Sequence, residues 1–95
     1  MPTYIMYAKL TAEGVKTIKN NPERVLEVND EVTSLGATVI AQWATLGANN
    51  FVSVVESPDD KTIARVGIEL ASRGTATYEI VPAITAEEMV AALKG

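Results

Sequence analysis

The sequence predicts a small α+β domain built on one antiparallel sheet, and three observations lead to this prediction. First, the stretch 38–56 has two segments rich in Val, Ile, Trp and Phe around the turn 47–50, a pattern typical of a β-hairpin. Second, a helix-start signal and apolar residues at helical spacing lie on each side of the hairpin. Third, strand-like segments lie near both ends, at 3–10 and 75–81. A chain of 95 residues supports one domain, 1–95.

The first strand is followed by a helical region that is predicted to have two segments. Thr11 is the predicted cap of the first segment, with Val15 and Ile18 on its buried side. The second segment is predicted to begin with Asn21 as its cap and Pro22 in the first helical position. Its apolar stripe consists of Val25, Val28, Val32 and Leu35.

The second half of the chain repeats the alternation of helix and strand. Ser57 is predicted to cap a helix that has Pro58 in its first position and runs to about Arg73. Its buried side is expected to contain Ile63, Val66, Gly67 and Leu70. Pro82 is expected to end the fourth strand. The pattern Thr85–Glu88 is a capping box, which predicts a terminal helix.

The predicted order is therefore β-α-β-β-α-β with an added C-terminal helix, which is the order of the ferredoxin-like fold. Right-handed crossovers place both main helices on one face of a four-stranded antiparallel sheet. The expected strand order across the sheet is 4-1-3-2.

Composition excludes several classes of site. The chain has no Cys and no His, so disulfides, thiol chemistry and a Ser-His-Asp or Cys-His catalytic unit are impossible within it. The usual ligands of zinc, copper and haem are also missing, and we expect neither a metal nor another cofactor. A net charge of −4 with scattered basic residues argues against nucleic acid and membrane partners. Without a signal peptide or a long apolar run, a cytoplasmic location is the expectation.

Both faces of the predicted sheet are apolar, although two helices can cover only one of them. Alternation in the second strand places Val39, Ala41 and Trp43 on one side and Ile40, Ala44 and Leu46 on the other, with Gln42 as the polar exception. Soluble monomers avoid large exposed apolar patches. We therefore expect a homodimer, or a larger homo-oligomer, whose sheets pack face to face. The alternative is that the C-terminal helix folds across the second face.

The sequence resembles a known family. The segments PTYIMYAKLTAEGVKTIKNNPER, AQWATLGANNFVSVVESPDD and ARVGIELASRGTATYEIVPAI are similar to the GYD domain family, and the similarity covers nearly the whole chain. The resemblance implies the dimeric α+β barrel form of the ferredoxin-like fold and no established activity. Gly47 matches the glycine of the Gly-Tyr-Asp signature, whereas Asn49 and Asn50 stand where the tyrosine and aspartate are expected.

Ligands of dimeric α+β barrels usually bind between the helices and the sheet or at the dimer interface, which gives a fold-level expectation for this chain. The polar and aromatic strand residues that could line such a site are Tyr7, Lys9, Gln42, Trp43, Tyr78 and Glu79. Gln42 needs a hydrogen-bond partner if it is buried. Core or interface packing is favoured for Trp43, Tyr7 and Tyr78.

Other polar residues have structural interpretations. Lys9 and Glu79 could form an ion pair between the first and fourth strands. The two asparagines of the hairpin are interpreted as turn residues. The acidic pairs Asp59–Asp60 and Glu87–Glu88 stand at helix starts, where capping is favoured over metal binding.

Two functional classes follow from this sequence. The first is a non-catalytic module that binds small molecules or supports assembly. The second is a small cofactor-free enzyme of the monooxygenase or isomerase type. Without histidine the enzyme needs another general base, and Glu79 and Lys9 are the strand-borne candidates. We favour the first class because no paired acid and base is visible; a buried Glu79 or Lys9 facing an enclosed pocket would reverse that preference.

Overall fold

Four strands and four helices follow one another in the predicted order in the computed structural model, which describes all residues from Met1 to Gly95. The elements are β1 Thr3–Leu10, α1 Ala12–Asn20, α2 Arg24–Ser34, β2 Thr38–Ala44, β3 Phe51–Glu56, α3 Asp60–Ala71, β4 Ala76–Ala83 and α4 Ala86–Lys94. The helical region before the hairpin consists of two separate helices, α1 and α2.

The four strands form one sheet in the order β2-β3-β1-β4, and every neighbouring pair is antiparallel. This order confirms the predicted 4-1-3-2 arrangement. Together with the element order, it makes the fold an α+β, ferredoxin-like βαββαβ sandwich with an additional C-terminal helix.

The hydrophobic core lies between one face of the sheet and the helices α2 and α3. The buried cluster comprises Tyr4, Met6, Val32, Ala37, Val55, Ile63, Val66 and Leu70. The predicted buried side of α3 is confirmed for Ile63, Val66 and Leu70, and Gly67 is half-buried. On α1 the prediction is wrong for Val15, which is 53% exposed. The buried residue of α1 is Gly14, which lies against the backbone of Thr75.

Two predicted helix starts lie a few residues too early. Asn21 is the C-cap of α1, with its backbone N–H donating to Thr17 O at 2.8 Å, so α2 begins only at Arg24. The cap of α3 is Asp59, not Ser57, because the Asp59 carboxylate accepts from Thr62 N at 2.8 Å. Ser57 is fully buried instead, and its hydroxyl donates to the carbonyl oxygen of Asp59.

The fourth strand continues through Pro82 to Ala83, two residues beyond its predicted end. Proline lacks the N–H that a central strand needs, but β4 is an edge strand with one neighbour, where this loss is tolerated. Thr85 and Glu88 form the predicted capping box of α4.

The helix α4 stands apart from the body of the domain, since all of its residues are exposed. The Cα radius of gyration is 14.3 Å, whereas a compact domain of this length would have about 12 Å. The alternative in which α4 covers the second sheet face is therefore wrong for the single chain. No helix has the length and hydropathy needed to cross a membrane.

Candidate functional site: a cavity on one sheet face and an open apolar surface on the other

The two faces of the sheet have different surroundings, and the register of the strands decides which residues each face receives. The covered face, under the helices, carries Tyr4, Met6, Ala8, Ser53, Val55, Ala76, Tyr78 and Ile80 among others. The open face carries Ile5, Tyr7, Lys9, Ala41, Trp43, Val52, Val54, Thr77, Glu79 and Val81. The structure therefore divides the predicted site residues between two surfaces.

Gln42 reaches the covered face because β2 contains a bulge. Val39 lies opposite Val55, but Ala41 lies opposite Val54, so Ile40 is an extra residue in this strand. The bulge reverses the expected alternation, and the prediction that Val39 shares a face with Ala41 is wrong. Gln42 now lies opposite Ser53 on the covered face.

Trp43 follows on the open face, opposite Val52, and is 57% exposed. It therefore belongs to no core of the single chain. Of the two kinds of packing expected for Trp43, in the core or at an interface, this position supports packing at an interface.

A cavity of about 180 Å³ lies between α1, α2 and the covered face, and we call it the helix–sheet cavity. Of the six predicted site residues it contains Gln42 and Tyr78, whereas Tyr7, Lys9, Trp43 and Glu79 do not line it. Apolar side chains such as Leu10, Val28 and Phe51 form much of its wall.

Three polar side chains form a hydrogen-bonded chain in this wall. Asn29 Nδ2 donates to Gln42 Oε1 at 2.9 Å, and Gln42 Nε2 donates to Ser53 Oγ at 3.0 Å. The expectation that a buried Gln42 needs a partner is thus met by residues of α2 and β3. Because Gln42 is held on both sides, its orientation toward the cavity is fixed.

Arginine side chains from two elements meet at the rim of the cavity. Arg24 Nη1, on the first turn of α2, lies 2.8 Å from Glu31 Oε1 and 3.4 Å from Glu27 Oε1. Arg73, just after α3, contacts the other carboxylate oxygen of Glu31. The hydrogen bond with Glu31 raises the pKa of Arg24 above its ordinary value. Glu31 therefore holds two guanidinium groups beside the cavity.

Tyr78 adds a hydroxyl group to the same cavity. Burial is the main cause that raises the pKa of Tyr78 above its ordinary value of 10.0. The hydroxyl is thus protonated at neutral pH, where it can donate a hydrogen bond but is a poor base.

The open face lacks any cover in the single chain. Trp43 is 57% exposed and Val81 is 37% exposed. The predicted Lys9–Glu79 ion pair is absent, because Lys9 lies opposite Thr77 and Glu79 lies opposite Tyr7. Both charged side chains are exposed rather than turned into an enclosed site.

The remaining polar candidates hold the backbone. Asn50 Oδ1 accepts from Leu10 N at 2.8 Å, which attaches the hairpin loop to β1. Glu88 closes the capping box of α4, and Asp60 accepts from the hydroxyl of Tyr4. The expected capping role is thus confirmed for Glu88, whereas Asp60 contacts Tyr4 and does not cap α3. An aspartate in place of Asn50 would offer the same kind of acceptor.

Sequence reasoning missed six polar side chains that line the cavity: Thr17, Arg24, Asn29, Ser53, Arg73 and Thr75. One signal was present for Asn29, since it shares the helical stripe of Val25, Val28 and Val32, where a polar residue faces the sheet. Arg24 and Arg73 come together only through the tertiary structure, and no local pattern marks them.

Comparison with known proteins gives one family and one full-length relative. The model of the GYD domain matches residues 4–93. The chain is 44% identical over 95 residues to a Thermus thermophilus protein named glutamine synthetase and cystathionine beta-lyase binding protein, with 99% of this chain and all of the relative covered.

Among solved structures, the chain is similar to a dimeric ferredoxin-like protein from an uncultured marine organism. The TM-score is 0.41 and the sequence identity 8%, with 90% of this chain and 95% of that chain covered.

Proposed function

This chain belongs to the GYD domain family, and we propose that it is a non-catalytic module that self-associates and acts by binding other proteins. The observation that carries the proposal is the end-to-end relation, at 44% identity, to a protein named for binding two enzymes. The uncovered apolar surface of the fold supports it independently.

We propose that a second copy of this chain covers the open face. The face presents Ile5, Tyr7, Val52, Val54 and Trp43 as a continuous apolar surface on the two central strands and β2. Only 13 of 95 residues are buried in the single chain, so a second copy would add substantially to the apolar core. Two such faces related by a twofold axis are self-complementary and give the dimeric α+β barrel.

The helix α4 is proposed to belong to the same assembly. It begins three residues after the edge strand β4 and exposes Met89, Val90 and Leu93, with Leu93 at 80%. An exposed apolar side on a helix whose residues are all exposed in the single chain is typical of an element that packs on a partner. We assign that side to the second copy.

The partner proteins that we propose are a glutamine synthetase and a cystathionine β-lyase, following the name of the relative. With the open faces buried against each other, the outer surfaces of the dimer would remain for these enzymes. The cytoplasm stays the proposed compartment, and a small-molecule role of the helix–sheet cavity is proposed beside the protein-binding role.

The enzyme alternative gains no support from the site. Both candidate bases, Lys9 and Glu79, are exposed on the open face and neither lines the cavity. The titratable groups in the cavity with a shifted pKa are Tyr78 and Arg24, and both shifts are upward, which disfavours a role as base near neutral pH.

Calorimetric titration with purified glutamine synthetase and cystathionine β-lyase of the same organism tests the protein-binding proposal. We expect saturable binding of wild-type protein to at least one enzyme. If neither enzyme binds at micromolar concentrations, the proposed partners are wrong.

A further inference from the structure

The charges around the helix–sheet cavity have no part in the proposed dimer. Arg24 and Arg73 are the charged side chains in its lining, and Glu31, which joins them, lies outside it. Both arginines contact carboxylates through Nη1 alone. The other guanidinium N–H groups donate to no protein atom, and the side chains of Arg24 and Arg73 are 28% and 38% exposed. Two cations beside a cavity without a carboxylate in its wall favour an anion there.

The polar chain in the wall also has unused hydrogen-bonding capacity. Ser53 is 1% exposed, accepts from Gln42, and donates its hydroxyl proton to no atom of the protein. Asn29 Oδ1 accepts no hydrogen bond either. Both side chains already have a partner and no buried polar side-chain atom is left unpaired. The unused lone pairs of Asn29 Oδ1 and the hydroxyl proton of Ser53 would therefore allow further hydrogen bonds to a polar occupant but do not require one.

The size and the charge of the cavity restrict the occupant further. A volume of about 180 Å³ accommodates roughly a dozen water-sized groups. Glu31 already balances one of the two arginines. Glu27, whose side chain is 53% exposed and 3.4 Å from Arg24, offsets only part of the other charge because exposed ion pairs are weak. The charge left over suits one carboxylate better than a dianionic phosphate. The apolar walls, including Val28 and Phe51, suit a short hydrocarbon tail.

We infer that the helix–sheet cavity binds a small monocarboxylate with a short apolar tail, with its carboxylate on Arg24 and Arg73 and its tail between Val28 and Phe51. The inference rests on the small-molecule part of the proposed function. It depends on neither the homodimer nor the protein partners, because the cavity and the open face lie on opposite sides of the sheet.

Calorimetric titration with sodium hexanoate tests the inference. We expect hexanoate to bind with a dissociation constant of about 1 mM or tighter, a modest value for a ligand of this size. Two other compounds serve as controls: hexan-1-ol keeps the tail without the charge, and inorganic phosphate keeps an anion without the tail. Each should bind at least tenfold more weakly than hexanoate. Equal binding of phosphate and hexanoate would overturn the assignment of a monocarboxylate.

Substitutions locate the carboxylate. Arg73→Gln should weaken hexanoate binding at least tenfold, and Arg24→Gln should do the same if it folds. Arg65→Gln, an exposed arginine outside the cavity, should leave binding unchanged. Equal affinities of Arg73→Gln and Arg65→Gln would overturn the inference, as would the absence of hexanoate binding to wild-type protein at 10 mM, roughly ten times the expected dissociation constant.

Amide NMR spectra separate this result from the dimer. Hexanoate should shift the side-chain amide signals of Asn29 and Gln42 but leave the indole N–H of Trp43 on the open face unchanged. Shifts confined to Trp43 would contradict the inference. Light scattering of Arg73→Gln should give the mass of the wild type. A loss of hexanoate binding with an unchanged mass then shows that the substitution affects the cavity and not the dimer.

Discussion

The helix α1 comes very close to the loop before β4 at a glycine. A Cβ atom built on Gly14 would lie 1.9 Å from the carbonyl oxygen of Thr75. Thr11 fixes the same junction, because its backbone N–H donates to Thr75 O and its hydroxyl donates to Gly74 O. A side chain at this position must therefore displace backbone.

Gly14→Ala should lower the free energy of unfolding by about 3 kcal/mol, the upper range for overpacking a rigid site. Gly47→Ala is the matched control: its φ of 127° is unfavourable for alanine, but nothing lies within 4 Å of the added Cβ. We expect a cost of about 1 kcal/mol there. Urea denaturation measures both values, and equal losses would show that the Gly14 contact can relax.

A second residue-level prediction concerns alkaline pH. The hydrogen bond from Tyr4 to Asp60, with burial and the nearby carboxylates, raises the pKa of Tyr4 from 10.0 to about 12. A raised pKa favours the protonated form in the folded state, so this contribution is complete below pH 10 and is lost as the pH rises toward 12.

Over that alkaline interval, the stability of Tyr4→Phe should therefore fall less than the stability of the wild type. Tyr7→Phe, on the open face, is the control for removing a hydroxyl that lies outside this contact. Thermal melts at half-unit pH steps give the comparison. Parallel curves for wild type and Tyr4→Phe would contradict the assigned contact.

Single residues also show which parts of the candidate site could be predicted from the sequence and which could not. Gln42 was recognisable because a lone amide interrupts an apolar strand, and the hydrogen bonds to Asn29 and Ser53 account for it. Arg24 and Arg73 are 49 positions apart in the sequence and meet through Glu31 only after folding. Long-range pairs of this kind leave no periodic signal.

At the scale of elements, periodicity correctly predicted which segments are strands. Turn and cap residues predicted most of the element boundaries less accurately. β1 and the α4 capping box were placed correctly because alternation and caps are local. The bulge at Ile40 was not predictable, since the strand has no glycine or other local mark at that position. This one extra residue decides that Gln42 faces the cavity and Trp43 the open face.

The cap of α3 gives the prediction at this scale. Asp59→Ala should destabilise the domain by about 1 kcal/mol, because the carboxylate that accepts from Thr62 N is lost and α3 carries three core residues. Asp59→Asn, which keeps an acceptor oxygen, should retain most of the stability. Urea denaturation at neutral pH compares them, and equal losses in both variants would show that charge rather than the cap matters.

For the whole molecule, the sheet separates two proposed roles. The covered face holds the helix–sheet cavity, and the open face offers the surface for a second copy. The sequence predicted both faces to be apolar but could not show that α4 leaves the open face uncovered, because the direction of a terminal helix depends on tertiary contacts. A sheet-to-sheet interface should exceed about 1,000 Å² in total and unfold in a concentration-dependent manner.

Light scattering of wild-type protein and of Trp43→Glu is the most direct test of the self-association on which this account is built. Trp43 is exposed in the single chain, so the substitution should spare the fold but place a charge in the proposed interface. The chain mass is 10.1 kDa, and we expect about 20 kDa or a larger multiple for the wild type and about 10 kDa for folded Trp43→Glu. A wild-type mass near 10.1 kDa at micromolar concentration would contradict the account, as would a Trp43→Glu variant that keeps the wild-type mass.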